Sequence, residues 1–380
     1  MKPIRILHIV TTMNRGGAET MIMNYYKSID RTKIQFDFIV HRESEGVFEK
    51  EIVRMGGRIF RLPPLTPFNY FDYFKKANLF FKKHKEYKII HSQINALSLP
   101  ILKISKKNKI PIRIAHSHTS IEPILKKILT KNTDLKTIAK DAIQSMARHN
   151  IPEYATHFFA CGEKAGKWLF GNKNKHRIKI INNAINSKLF IYDKEKAFMV
   201  KENYGISQKK VIGHVGNFVE AKNHIFLIDI FYEMQKIDES LVLVLVGNGY
   251  LKKKIEEKAK NLLIEGKVFF LGIRDDVNLL MQAFDLIIFP SIYEGLPVTL
   301  IEAQASGIRI LASDAVTREV QITNLVNFME LEKSSKSWAI KAIELLDYEK
   351  TDTSELIKNA NYDITKNALE LQKFYLDVWN

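Results

Sequence analysis

Residues 290–314 read PSIYEGLPVTLIEAQASGIRILASD, and this stretch decides the fold. The residues just before it, DLIIF at 285–289, form a short apolar run that ends at Pro290, as a buried parallel strand does. Residues 298–306 are good helix formers stopped by Gly307, and 308–312 are apolar again. Strand, loop, helix and strand make one βαβ unit. In such sheets ligands bind beyond the carboxyl ends of the strands. Glu294 therefore lies in a loop at the ligand edge, and Glu302 begins the second turn of the following helix. Ionised carboxylates accept hydrogen bonds, so this pair suits a neutral, hydroxyl-rich ligand. The alternative is a solvated loop glutamate and a helix glutamate that only favours the dipole.

The same alternation extends in both directions. Toward the N-terminus, strands are predicted at 4–11, 36–40, 58–61, 89–92, 112–115 and 157–161, with helices near 18–28, 47–55 and 70–84. A long helical stretch is expected between the last two strands. A second series starts near residue 210, with strands at 211–215, 240–246 and 268–271 and helices near 224–236, 251–261 and 277–283. This is a doubly wound α/β pattern occurring twice, which puts a cleft between two sheets. Residues 180–189 read as the exit from the first domain. At 380 residues the chain is long for one core, and two domains are expected.

Composition is that of a globular protein, 46% hydrophobic and 26% charged. Cys161 is the single cysteine, so no internal disulfide forms and a reducing compartment is implied. The first apolar run, residues 6–10, is too short for a secretory core or a membrane span. The net charge of +16 is unevenly placed: residues 1–190 carry +21 and the remainder −5. Basic residues crowd 75–88, 103–113 and 126–140, mixed with apolar and aromatic side chains. No base-reading motif accompanies them, which argues against nucleic acid. An anionic membrane surface and plain solubility remain as readings.

Further loops follow predicted strands. Residues 13–20, MNRGGAET, open a helix, and their two glycines permit close backbone approach where a helix N-terminus favours anions. The absence of G-x-G-x-x-G argues against a nicotinamide dehydrogenase. Residues 115–120, AHSHTS, place His116 and His118 at another strand end without a third ligand at metal spacing. Residues 213–223, GHVGNFVEAKN, start the second domain, while 246–249 (VGNG) is a lone G-x-G.

The E-G-L-P turn, the second glutamate and the A-x-A-S-G helix end together resemble the signature of retaining glycosyltransferase family 4, which carries a GT-B fold. The resemblance spans nearly the whole chain and is nearest to bacterial transferases of capsule and exopolysaccharide assembly. It implies two Rossmann-like domains: 1–185 with a final helix, 364–380, crossing back onto it, on the acceptor side, and 186–363 binding the nucleotide sugar. It implies that Glu294 contacts the transferred sugar, Gly295 and Leu296 present backbone amides, and Glu302 holds ribose hydroxyls, with Thr299 beside them. By the same resemblance Gly16 and Gly17 would lie against the donor diphosphate and the acceptor, and His118 would face the sugar. Lys222 would neutralise the diphosphate, and Ile273 would lie where the family's backbone groups hold the nucleobase.

One departure stands out, because Asn217 occupies the place of the family's arginine. Loss of such a charge-assisted donor typically costs ~100-fold or more in rate. Arg15 or Arg274 could substitute. The implied activity is metal-independent transfer of a hexose from a nucleotide diphosphate sugar, a UDP-sugar first, to a lipid-linked saccharide. No cofactor is expected beyond that donor. The expected location is cytoplasmic, peripheral on the inner face of the plasma membrane. Two rivals follow: a catalytically weakened member serving as partner or activator of another transferase, and a GT-B UDP-sugar 2-epimerase.

Overall fold

The computed structural model describes residues 2–66, 69–119 and 135–379. The chain divides into two compact units, one of residues 1–184 with 364–380 and one of residues 185–363. Each is a Rossmann-like unit built on one parallel sheet.

The first sheet has seven strands: β1 (Ile4–Val10), β2 (Ile34–Val40), β3 (Ile59–Arg61), β4 (Ile89–Ser92), β5 (Ile112–Ser117), β6 (His157–Ala160) and β7 (Ile178–Ile180). Their order is β3-β2-β1-β4-β5-β6-β7, every pair parallel. The second sheet has six: β8 (Val211–Val215), β9 (Val242–Val246), β10 (Val268–Gly272), β11 (Leu286–Phe289), β12 (Arg309–Ser313) and β13 (Val326–Met329), ordered β10-β9-β8-β11-β12-β13. The strand order turns back once in each sheet, between β1 and β4 and between β8 and β11. Connections leave those two strands toward opposite faces, so a crevice opens beyond their carboxyl ends.

The strands are near-continuous apolar runs because both faces are covered. Along β1, Ile6 and Val10 belong to one buried cluster, while Leu7 and Ile9 belong to the cluster on the opposite face. The second unit repeats this arrangement with Val242, Val244 and Val246 on one side and Leu243 and Leu245 on the other. The final helix, Ile364–Trp379, is amphipathic and buries Ile364, Ala368, Leu371 and Tyr375 in the first unit's core beside Ile6, Ile89 and Ile114.

Several elements go beyond the sequence reading. β7, β13 and the helices Leu99–Lys107, Glu163–Phe170, Ser335–Glu344 and Ser354–Asn359 were not anticipated. β7 is three residues long at the sheet edge, with Ile180 exposed, and so lacks a buried apolar run. Of the stretch expected to be helical between β5 and β6, helix Leu135–Ala147 is described. The side chains of the basic run at 126–140 lie outside the described residues.

Leu371 is 4% exposed within the first unit's core. Leu371→Ala should cost about 2–5 kcal/mol, read as a lowered midpoint in urea unfolding. An unchanged midpoint would mean that this helix adds nothing to the unit's stability.

Candidate functional site

In the first unit the connection after β1 leads through Gly16 into the helix Gly17–Ser28. Gly16 is the N-cap residue and supplies no side-chain cap. Around a Cβ at Gly17 there is open space to 4 Å, so packing within the unit does not demand glycine there. A Cβ at Gly16 would meet the Glu19 carboxylate, which folds back over the turn. Burial pushes the Glu19 carboxyl above its ordinary range.

His118 follows β5. Its backbone N–H donates to Asn95 Oδ1 at 2.8 Å, and its Nε2 lies 2.7 Å from Gln93 Oε1. Its ring stacks on His116 with centroids 4.2 Å apart. Burial pushes its pKa down to about 4, so the ring is neutral at pH 7. A cavity of about 340 Å³ is lined by His118 together with Glu19, Gln93, Asn95, Asp141 and Gln144. His116 is wholly buried behind it and takes no part in that lining.

In the second unit, three connections are tied side by side at the crevice. Gly216 N–H donates to Val246 O at 2.9 Å, Gly247 N–H to Gly272 O at 2.8 Å, and Ile292 N–H to Ala221 O at 2.8 Å. Gly247 has φ +138°, and a Cβ there would lie 2.0 Å from Gly216 O. This is one position where glycine is required, because the backbones touch. Across the crevice Lys222 Nζ lies 2.6 Å from Glu294 Oε1, with the two side chains 18% and 12% exposed. The ammonium also stands 4.7 Å from the centre of the Phe289 ring.

Gly295 is exposed with open space around it, whereas Leu296 packs on the core. The helix Val298–Ala305 starts without a side-chain cap, and Thr299 in its first turn is half-buried. Glu302 is half-buried too. Its carboxylate has no hydrogen-bond partner among the described residues, and burial raises its pKa to about 7. Asn217 is exposed, and its side-chain amide is unbonded among the described residues. Ile273 is 60% exposed just after Gly272. Arg274 donates two hydrogen bonds to Asp276, at 2.8 and 2.6 Å, in a partly exposed pair. Among the described residues no three His, Cys, Asp or Glu side chains are arranged to hold a metal ion.

Glu19 was read only as part of the first loop, and Gln93 and Asn95 were missed by sequence reasoning. For those two the available signal was the pair of amides in QIN, residues 93–95, directly after β4, the strand that flanks the crevice opposite β1.

Residues 197–363 match the family model described as glycosyl transferases group 1. The chain is 34% identical to the putative glycosyltransferase EpsF of Bacillus subtilis (strain 168), over 98% of this chain and 96% of the relative. It is 26% identical to the capsular polysaccharide biosynthesis glycosyltransferase CapH of Staphylococcus aureus, over 98% and 99%. The crystal structure of Anabaena Alr3699/HepE in complex with UDP superposes with a TM-score of 0.76 at 17% identity, over 99% and 100% of the two chains.

The raised pKa of Glu302 has a consequence for stability. Between the ordinary carboxylate value of 4.5 and about 7 the folded state binds the more protons, so stability falls as pH rises through that window. Above pH 7 the whole penalty remains. Glu302→Gln should therefore raise Tm at pH 8, by roughly 2–4 °C per kcal/mol recovered, and leave it unchanged at pH 4. Equal shifts at both pH values would show that the carboxylate is not destabilised by its site.

Proposed function

Because the chain belongs to the group 1 glycosyl transferases, we propose that it moves a hexose from a UDP-sugar, with retention, to a hydroxyl of a lipid-linked saccharide. The setting would be assembly of a surface polysaccharide. The observation that carries this reading is that the second unit holds both the Lys222–Glu294 pair and, in the helix that follows Glu294, the Glu302 carboxylate without a partner among the described residues.

Each group has a task in that reaction. Negative charge develops on the leaving diphosphate, and Lys222 would stabilise it together with backbone N–H groups of the β8 connection and the uncapped helix at Val298. In the free protein Glu294 serves as the counter-anion of Lys222. An arriving diphosphate would take over that place and free the Glu294 carboxylate for sugar hydroxyls. Glu302 would accept hydrogen bonds from the ribose, whose two hydroxyls are the donors its carboxylate lacks. Ile273 would flank the base, and Thr299 would support the donor beside Gly295. Gly16 and Gly17 would admit the substrate against the backbone, since a side chain at Gly17 meets only open space.

His118, neutral at pH 7, is unsuited to act as a general acid; it would orient the sugar while the leaving phosphate oxygen takes the acceptor proton. The positive charge comes from Lys222, so the reaction would need no metal. Chelation with EDTA should leave UDP release unchanged, and a loss restored by Mg²⁺ would overturn that part.

The helix Tyr70–Lys83 exposes Phe71 (87%) and Leu79 (55%) among Lys75, Lys76, Lys82 and Lys83. This mixture suits the surface of an anionic bilayer, each lysine contributing about 1 kcal/mol. Among the described residues no helix is long and apolar enough to cross a membrane. The lysines and exposed apolar side chains of this helix support a peripheral mode, where a lipid-linked acceptor would present its sugar.

Asn217 motivates a second reading, a weakened transferase that assists another, because an exposed neutral amide stands where charge is needed. Release of UDP from a panel of UDP-sugars with membrane extract separates the two. Turnover supports the first, and none across the panel supports the second. Asn217→Arg should raise kcat by ~10–100-fold; no gain would mean that the diphosphate is neutralised without that position. Glu302→Ala should weaken UDP binding by ~10-fold or more, and unchanged calorimetric affinity would remove its ribose role.

A further inference from the structure

Four histidines cluster in the first unit, where the sheet meets the helix Ile364–Trp379. His8, His91 and His116 are at most 2% exposed, and His118 stacks against His116. Burial depresses all four pKa values, to about 3 for His8 and about 4 for His118, so each ring is neutral and carries one N–H and one lone pair. Which nitrogen holds the proton is then set by its partner. Tyr375 OH stands 2.6 Å from His91 Nδ1, and His91 Nε2 stands 3.1 Å from His116 Nδ1. The other two rings share a single amide. Gln93 Nε2 donates to His8 Nδ1 at 3.1 Å, and Gln93 Oε1 accepts from His118 Nε2 at 2.7 Å.

The two ends of an amide have opposite polarity. Facing one nitrogen with N–H and the other with oxygen forces both rings into the Nε2–H form. We propose that Gln93 is a positioning residue that holds His118, a residue lining the cavity, as the Nε2–H tautomer and leaves its Nδ1 as a bare acceptor. At the two ends of this His8–Gln93–His118 relay, the buried nitrogens His8 Nε2 and His118 Nδ1 have no partner among the described residues. A lone pair at Nδ1 matches a hydroxyl donor, so the consequence for function rests on the transferase reading, in which the partner is a sugar O–H. Asn95 completes the support by accepting from the backbone N–H of His118. The ring is thus held at its nitrogen and its main chain by two side chains from the connection after β4.

The test is ¹⁵N NMR of histidine-labelled protein without substrate, with resonances assigned through His8→Gln and His118→Gln. In the unsubstituted chain both rings should show the Nε2–H signature. Gln93→Glu supplies only acceptors, so His118 should keep Nε2–H while His8 changes to Nδ1–H. Gln93→Met removes both partners, and His118 should become a tautomer mixture with kcat down ~10-fold and donor KM moved less than about twofold. Gln93→Glu should retain most of that kcat.

An Nδ1–H signature for His118 in the unsubstituted chain, or signatures unmoved in Gln93→Glu, would overturn the proposal. Those two measurements decide it even where Gln93→Met fails to fold. Because the tautomers are read without substrate, absence of turnover in every form would sink the transferase reading and leave the role of Gln93 standing.

Discussion

A parallel sheet whose strand order turns back must part its connections at one place, and that constraint organises both units. β1 and β4, and again β8 and β11, send the chain to opposite faces of their sheets. Backbone groups at those ends are left without a covering element, and the loops that start there meet what binds there. Gly16, Gly17, Gln93 and Asn95 come from the first such place; Gly216, Asn217, Lys222 and Glu294 come from the second. His118 joins from the neighbouring strand, held by Gln93 and Asn95. The chemistry of the chain is thus spent where the topology leaves backbone uncovered.

The polar groups at these places are kept neutral or paired. Lys222 and Glu294 cancel one another at 2.6 Å, and the histidines are uncharged through burial. A largely buried ion pair is weak support for stability, since desolvation offsets much of the attraction. Its value lies in being exchangeable, for a lysine held by a carboxylate is already in place for a stronger anion. Glu302 differs, a carboxylate raised to about 7 by burial, with no ion pair among the described residues. Such a group is costly in the free fold and is relieved by any ligand that donates hydrogen bonds to it.

Much of this was legible along the chain. Alternating apolar runs located most of the long strands, and the βαβ unit around Glu294 and Glu302 was read with bounds close to those observed. Periodicity failed where burial is one-sided or brief, as in β7, where Lys179 interrupts three residues, and β13, where Asn327 interrupts four. Pairings at long separation were not legible from one sequence. Lys222 and Glu294 are 72 residues apart, and Gln93 and His118 are 25 apart. Lys222, Glu294 and His118 stood out singly, but their partners did not show until the sheets brought the strand ends together, and Gln93 looked like an ordinary loop residue. Arg274, which the sequence offered as a spare cation, pairs with Asp276 two residues on, a contact that local spacing could have suggested.

The helix Ile364–Trp379 completes the first unit although residues 185–363 intervene. During synthesis at about 5–20 residues per second, the first unit therefore waits on the order of ten seconds or more for its last core pieces. Until Leu371 and Tyr375 emerge, the face around Ile6, Ile89 and Ile114 stays open. The second unit is contiguous and can fold while the first is unfinished. The chain matures from the middle outward in time, and the exposed apolar face of the nascent first unit is where a chaperone would be needed.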